Sequence, residues 1–154
     1  MSEEVQRAAA LVFADKAREI AEFCLARGGE RTFQGWPVPT LFAYAFFHSV
    51  DRTVFVARDH GAIAAVVFAW GVDETELRRC VAEKRPLFAW RRGKDDGDSV
   101  FLAEMVGARR YIPALYRQVS ARFRGFARKT VFTFRRGQLA RLEPAVIQRM
   151  IVIA

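Results

Sequence analysis

The sequence predicts an α+β fold with a mixed or antiparallel central sheet flanked by helices. Three observations carry this expectation. Apolar residues recur at helical spacing before any strand signal, two β-branched and aromatic runs are joined by a short polar turn, and a later strand pattern runs through a glycine into another helical pattern. The 154 residues suit one domain spanning 1–154 and bury enough surface to fold without a staple. With 52% apolar residues and fourteen Phe, the chain is too hydrophobic for disorder and should build an aromatic core.

From Glu3 to Ala26, Val5, Ala9, Val12, Phe13, Ala17, Ile20 and Cys24 lie at helical spacing, and Gly28-Gly29 ends the run. Trp36-Pro37-Val38-Pro39 imposes an extended entry, after which Thr40 can cap an aromatic helix, Leu41 to His48. Thr53 to Ala57 and Ala62 to Trp70 read as an antiparallel hairpin joined by Arg58-Asp59-His60-Gly61. Asp73 caps a helix running to Glu83 with Leu77, Cys80 and Val81 inward, and residues 91–98 have the composition of an exposed, mobile loop. Ser99 to Val106 is a strand. A helix starting at Pro113 puts Ile112, Leu115, Val119, Phe123 and Phe126 on one face. Lys129 to Phe134 forms a fourth strand, Arg135-Arg136-Gly137 turns, and Glu143 to Ile151 closes with a short helix.

Only two cysteines are present, Cys24 and Cys80, with no metal-ligand spacing around them, so a disulfide framework and a zinc site are both unsupported and a reduced compartment fits. The first residues are charged rather than apolar, and no stretch is long enough to span a bilayer, so a cytoplasmic protein is expected. The formal charge of +8 is unevenly spread. Residues 1–104 hold 14 basic and 16 acidic side chains, a balance of −2, whereas residues 105–154 hold 11 basic side chains and the single acid Glu143, a balance of +10. Such an imbalance is either a solvated face or the footprint of an anionic partner. No Ser-His-Asp order, phosphate-binding Walker loop or EF-hand pattern is present.

The order of elements, with helices first, then a hairpin, a helix, a strand leading into a helix and a final strand pair, resembles the N-acetyltransferase-like superfamily. Within it, the chain resembles the toxin-activating lysine acyltransferases of the hemolysin-activating type. The matching stretches are Trp36-Pro37-Val38; Val54 to Trp70, where the family has a hairpin ending in Ser-Trp-Ala; Gly97-Asp98 with Phe101-Leu102-Ala103-Glu104, Gly107-Ala108-Arg109-Arg110 and Ala114-Leu115-Tyr116; and Phe132-Thr133-Phe134-Arg135-Arg136-Gly137. They cover roughly residues 33–145. The resemblance implies transfer of an acyl group from acyl carrier protein to a lysine of a protein substrate, no bound cofactor, and a homodimer. It also locates a departure, because the family's catalytic His falls on Phe33 and its catalytic Asp on Glu104.

Acyl transfer to an amine needs a group to take the ammonium proton and donors for the developing oxyanion. Glu104, in an apolar strand, can be a general base near neutrality or can face solvent and pair with Arg109. His48 can stand in for the missing base or cap its helix. The loop after the strand lacks Gly-x-Gly spacing, which disfavours acyl-coenzyme A, while Arg109 and Arg110 can meet the phosphate or the acidic helix of a carrier protein. Trp36, Trp70 and Trp90 can line an acyl groove or pack the core. Two alternatives remain at this level. One is a catalytically silent relative that binds an acidic protein, and the other is a nucleic-acid binder using the basic C-terminal third.

Overall fold

The structure is a computed structural model that describes residues 2–28, 33, 35–84, 97–123, 125–126, 129–135 and 138–152. Its element order is α1 (Glu3–Phe23) continued by a π-helical turn (Cys24–Gly28), α2 (Val38–Val50), β1 (Val54–Asp59), β2 (Ala62–Val72), α3 (Glu74–Ala82), β3 (Ser99–Gly107), a 3-10 turn (Arg109–Tyr111), α4 (Ile112–Arg122), β4 (Thr130–Arg135), β5 (Gln138–Leu142) and α5 (Pro144–Val152). The five strands form one sheet in the order β1-β2-β3-β4-β5, and every pairing is antiparallel except β3 with β4. That parallel pair needs a crossover, which α4 supplies. The mixed sheet flanked by helices agrees with the α+β expectation, and β5 is the second member of the final strand pair.

Each face of the sheet carries its own core. On one face Ala17, Ile20 and Ala21 of α1, Leu41, Tyr44 and Ala45 of α2, and Leu77 and Cys80 of α3 pack on Val66, Phe68, Trp70 and Val72 of β2 and on Phe101 and Val106 of β3. On the other face Leu115 and Val119 of α4, Phe123, Phe126 and Ile147 of α5 pack on Ala65, Val67 and Ala69 of β2 and on Val100 and Leu102 of β3. Covering both faces explains why β2 reads as an apolar run without alternation.

Local chemistry accounts for the boundaries. Ser2 caps α1 by accepting from the Val5 N–H at 3.4 Å. The helix is about 31 Å long, and only its last two turns reach the sheet. Val5 and Val12, expected on its buried face, are therefore exposed, Val12 at 66%. Helix α2 begins earlier than expected, with the extended Pro37 rather than Thr40 at the N-cap position and no side-chain cap bond, because Pro39 in the first turn needs no hydrogen-bonded N–H. Strands β1 and β2 extend across Arg58 and Asp59, leaving His60 (φ 50°) and Gly61 (φ 81°) as a two-residue hairpin turn. Arg58 clamps that tip to α1 through a two-pronged bond to Glu19, at 2.6 and 2.9 Å.

Asp73 occupies the N-cap of α3 without a side-chain cap bond, and Asp98 instead accepts from the Glu74 N–H at 3.1 Å. The preceding Gly97 lies so close to Val72 that a β-carbon there would meet the Val72 carbonyl oxygen at 2.3 Å. Gly97-Asp98, one of the stretches behind the resemblance, thus locks the entry of β3 against the start of α3. Helix α4 ends at Arg122, earlier than the pattern implies. Phe123 is extended and Phe126 lies beyond a turn at Gly125, yet both remain buried. The loop expected at 91–98 lies outside the described residues except for Gly97 and Asp98, as do Trp90 and the Arg136-Gly137 turn. Among the described residues no helix is long and apolar enough to cross a membrane.

Gly107 ends β3 at φ 113°, and a β-carbon there would meet the Ala64 carbonyl oxygen at 2.4 Å and the Ala65 Cα at 2.7 Å. Gly107→Ala therefore combines a forbidden backbone angle with a backbone clash and should destabilise the fold by more than about 1 kcal/mol, measured by urea unfolding.

Candidate functional site

The centre of the site is a break in the regularity of β3. Phe68 of β2 pairs with Glu104, whereas the next residue, Ala69, pairs with Leu102, so Ala103 is an extra residue in the strand. Its effect is visible in the faces. Val100 and Leu102 belong to the α4–α5 core and Phe101 and Ala103 to the α1–α3 side, but after the bulge Met105 lies on the α4–α5 side and Val106 on the other. Strict alternation from Phe101 would direct Glu104 toward α4. The bulge turns it toward α2, where its Oε2 accepts a hydrogen bond from the Tyr44 hydroxyl at 2.8 Å.

A second irregularity opens the sheet beside it. The parallel ladder between β3 and β4 has four rungs, from Ser99 with Thr130 to Leu102 with Thr133. Strand β3 runs on for five residues and β4 for two, and the space between them is a cleft of about 570 Å³. Its walls are Val67, Leu102, Ala103, Glu104, Met105, Arg109, Tyr116, Thr133, Phe134 and Leu142. Its surface is about half polar, since apolar side chains alternate with one acid, one base and the hydroxyls of Tyr116 and Thr133.

Burial pushes the Glu104 carboxyl up to about 7, and the Tyr44 hydrogen bond partly opposes that rise. The nearby Cys24 thiol, buried in the π-helical turn, is itself pushed up to about 12 by its burial and by the Glu104 charge. Of the two sequence expectations for Glu104, the solvent-facing pair with Arg109 does not form, since no ion pair joins them, and the partner is Tyr44.

The remaining candidates separate. Arg109 lines the cleft with Glu104. Arg110, one residue on, is drawn away to the hairpin tip. Its Nη2 lies 3.7 Å from Asp59 and donates to the Tyr111 hydroxyl at 2.9 Å, and Tyr111 in turn donates to Asp59 at 2.8 Å. His48 is buried at the end of α2, where its Nδ1 and the Thr53 hydroxyl share a hydrogen bond of 2.8 Å, and it does not line the cleft. Its ring packs on Tyr44 at 4.2 Å between centroids. Trp70 is a core ring, 5.2 Å from Phe101 and 5.2 Å from His48. Trp36 meets Tyr44 edge-on at 5.4 Å.

Phe33 is 1% exposed, and its ring lies against Trp36, Tyr44 and Phe68 at 5.2, 6.2 and 6.0 Å. The position where the resemblance places a His is thus a packed hydrocarbon, adjoining the tyrosine that binds the acid. Sequence reasoning missed Tyr44. Its signal was faint, a lone hydroxyl in the aromatic run Phe42 to Phe47 that also reads as core. Among the described residues, no group of three or more His, Cys, Asp and Glu side chains is arranged to hold a metal ion.

The class that fold and site define is an α+β protein with a mixed sheet, an open wedge between its parallel strands and a partly buried acid at the wedge's edge. Comparison with family models, with curated proteins and with solved structures yields no match.

The raised acid sets a pH dependence. Below about 4.5, the ordinary value, Glu104 is protonated whether the chain is folded or unfolded. As pH rises from there to about 7 the unfolded chain gives up its proton first, so the folded state loses up to about 3 kcal/mol, and above that range the loss is complete. Glu104→Gln keeps an acceptor for Tyr44 and carries no titrating proton. The stability of the unmodified protein relative to this variant should fall between pH 4.5 and 7 and level off above, as read by urea unfolding across pH.

Proposed function

We propose that this chain is an acyltransferase-like protein that moves an acyl group from an acidic acyl carrier protein to a lysine of a protein substrate, a divergent form of the toxin-activating type. The observation that carries the reading is a single carboxyl, held near neutrality by burial, at the edge of a cleft between two diverging parallel strands.

A cleft walled by strand edges suits a slim chain bearing amides, such as the phosphopantetheine arm of a carrier protein, because such a chain can lie along the strands. Arg109 at the cleft supplies a cation for the arm's phosphate, and the +10 balance after Glu104 suits the acidic carrier. In the reaction the lysine nitrogen attacks the thioester carbonyl carbon, a C–N bond forms and the C–S bond breaks. Glu104 takes the proton the nitrogen loses, and the departing sulfur leaves as a thiol carrying that proton. A base whose affinity for protons lies near pH 7 is suited to both halves of that transfer.

One observation favours a second reading, a catalytically silent relative that binds an acidic protein. Phe33 fills the place of the family's His with a packed ring that can move no proton.

Purified protein mixed with acyl carrier proteins loaded with chains of several lengths should bind the carrier and acylate an amine acceptor or itself. Glu104→Gln should lower that rate by about 100-fold or more with the fold intact. Absence of both binding and acylation removes the enzyme reading, and binding that Glu104→Gln leaves untouched, without transfer, supports the silent one. Arg109→Ala should weaken carrier binding more than Arg110→Ala, because Arg110 is engaged by Asp59 and Tyr111. Titrating the labelled carrier into each variant at two salt concentrations compares them.

A further inference from the structure

We infer that Tyr44 is the positioning residue of the site: its hydroxyl holds one oxygen of Glu104 and so directs the other to whatever occupies the cleft. This rests on the reading of Glu104 as the proton acceptor, and it adds a residue on α2 that neither the cleft lining nor the resemblance contains.

The geometry that supports it has three parts. The bulge at Ala103 turns Glu104 onto the α2 side, where it would be a bare acid beside Phe68 and Cys24 without a donor. Tyr44 provides that donor at 2.8 Å to Oε2, no other hydrogen bond holds the carboxyl among the described residues, and Glu104 is itself part of the cleft wall. Tyr44 itself is held in place. Its ring is packed by Trp36 at 5.4 Å, Phe68 at 4.9 Å and His48 at 4.2 Å, and close packing of this kind restricts the swing of its hydroxyl.

The titratable and charged groups facing Glu104 come from every element around it. Cys24 approaches from the π-helical turn and Tyr44 from α2, while Arg109 and Tyr116 line the same cleft from the loop after β3 and from α4. Of these, Tyr44 alone donates a hydrogen bond to the carboxyl. A donor to the charged form favours the carboxylate, so Tyr44 opposes the effect of burial and keeps Glu104 able to accept a proton in neutral solution. A tyrosine with only a packing role would leave that titration unchanged when its hydroxyl is removed.

The test is the titration of Glu104 itself, followed by carbon-13 NMR of glutamate-labelled protein, with the Glu104 signal assigned by its loss in Glu104→Gln. Tyr44→Phe keeps the ring and should move the midpoint upward by roughly one pH unit. Site-specific replacement of Tyr44 by 3-fluorotyrosine, a stronger donor of the same shape, should move it downward. Should Tyr44→Phe fail to fold, the fluorinated protein still decides the matter. Midpoints that stay together in folded variants overturn the assignment. The titration needs no acyl donor, so it is independent of the reaction. Shifted midpoints in a protein that transfers no acyl group uphold Tyr44 and remove the acyltransferase reading. Where transfer does occur, the rising limb of its pH profile should move in the same direction as the midpoint in each variant.

Discussion

The arrangement depends on one residue too many in β3. A carboxylate inside a sheet covered on both faces is costly wherever it points, and the extra residue at Ala103 determines which side bears that cost. Turned toward α4, Glu104 would have lain on the side of Met105 and away from the Tyr44 hydroxyl. Turned toward α2, it meets a hydroxyl. The bulge and Tyr44 are therefore one device, since neither would leave a satisfied acid without the other.

The two faces of the sheet do different work. The α1–α3 face is dense in rings, with Phe33, Trp36, Tyr44, His48, Phe68 and Trp70 in mutual contact. Edge-on ring packing makes that layer stiff, which suits a hydrogen bond that must keep its direction. The α4–α5 face is mostly aliphatic in its helices and borders the wedge between β3 and β4. The rigid layer holds the acid, and the splayed strands leave room beside it. The loop after β3 is held in turn by Asp59, Tyr111 and Arg110, which fasten it to the hairpin tip and leave Arg109 at the cleft.

Most of the element order was legible in the residues. Hydrophobic spacing announced α1, the β1–β2 hairpin, β3 and α4, since period 3.6 and period 2 are local properties of a chain. Local signals erred where a neighbour decided the outcome. Thr40 looked like a cap until Pro39 made an earlier start possible, Asp73 yielded its capping bond to Asp98 from twenty-five residues away, and the first turns of α1 stayed exposed because the sheet does not extend beneath them.

The candidate site divides along the same line. By itself the sequence determined that a lone acid would lie in an apolar strand and that a strongly basic third would follow it. Only the tertiary structure decided that Glu104 faces α2 rather than α4, that Tyr44, sixty residues earlier, is its partner, that Arg109 and Arg110 part company, and that His48 and Trp70 lie behind the site. The physical reason is that composition and periodicity are properties of single segments. The register of two strands, the length of a parallel ladder and the meeting of a hydroxyl with a carboxylate exist only between segments, and they arise when the whole sheet is packed.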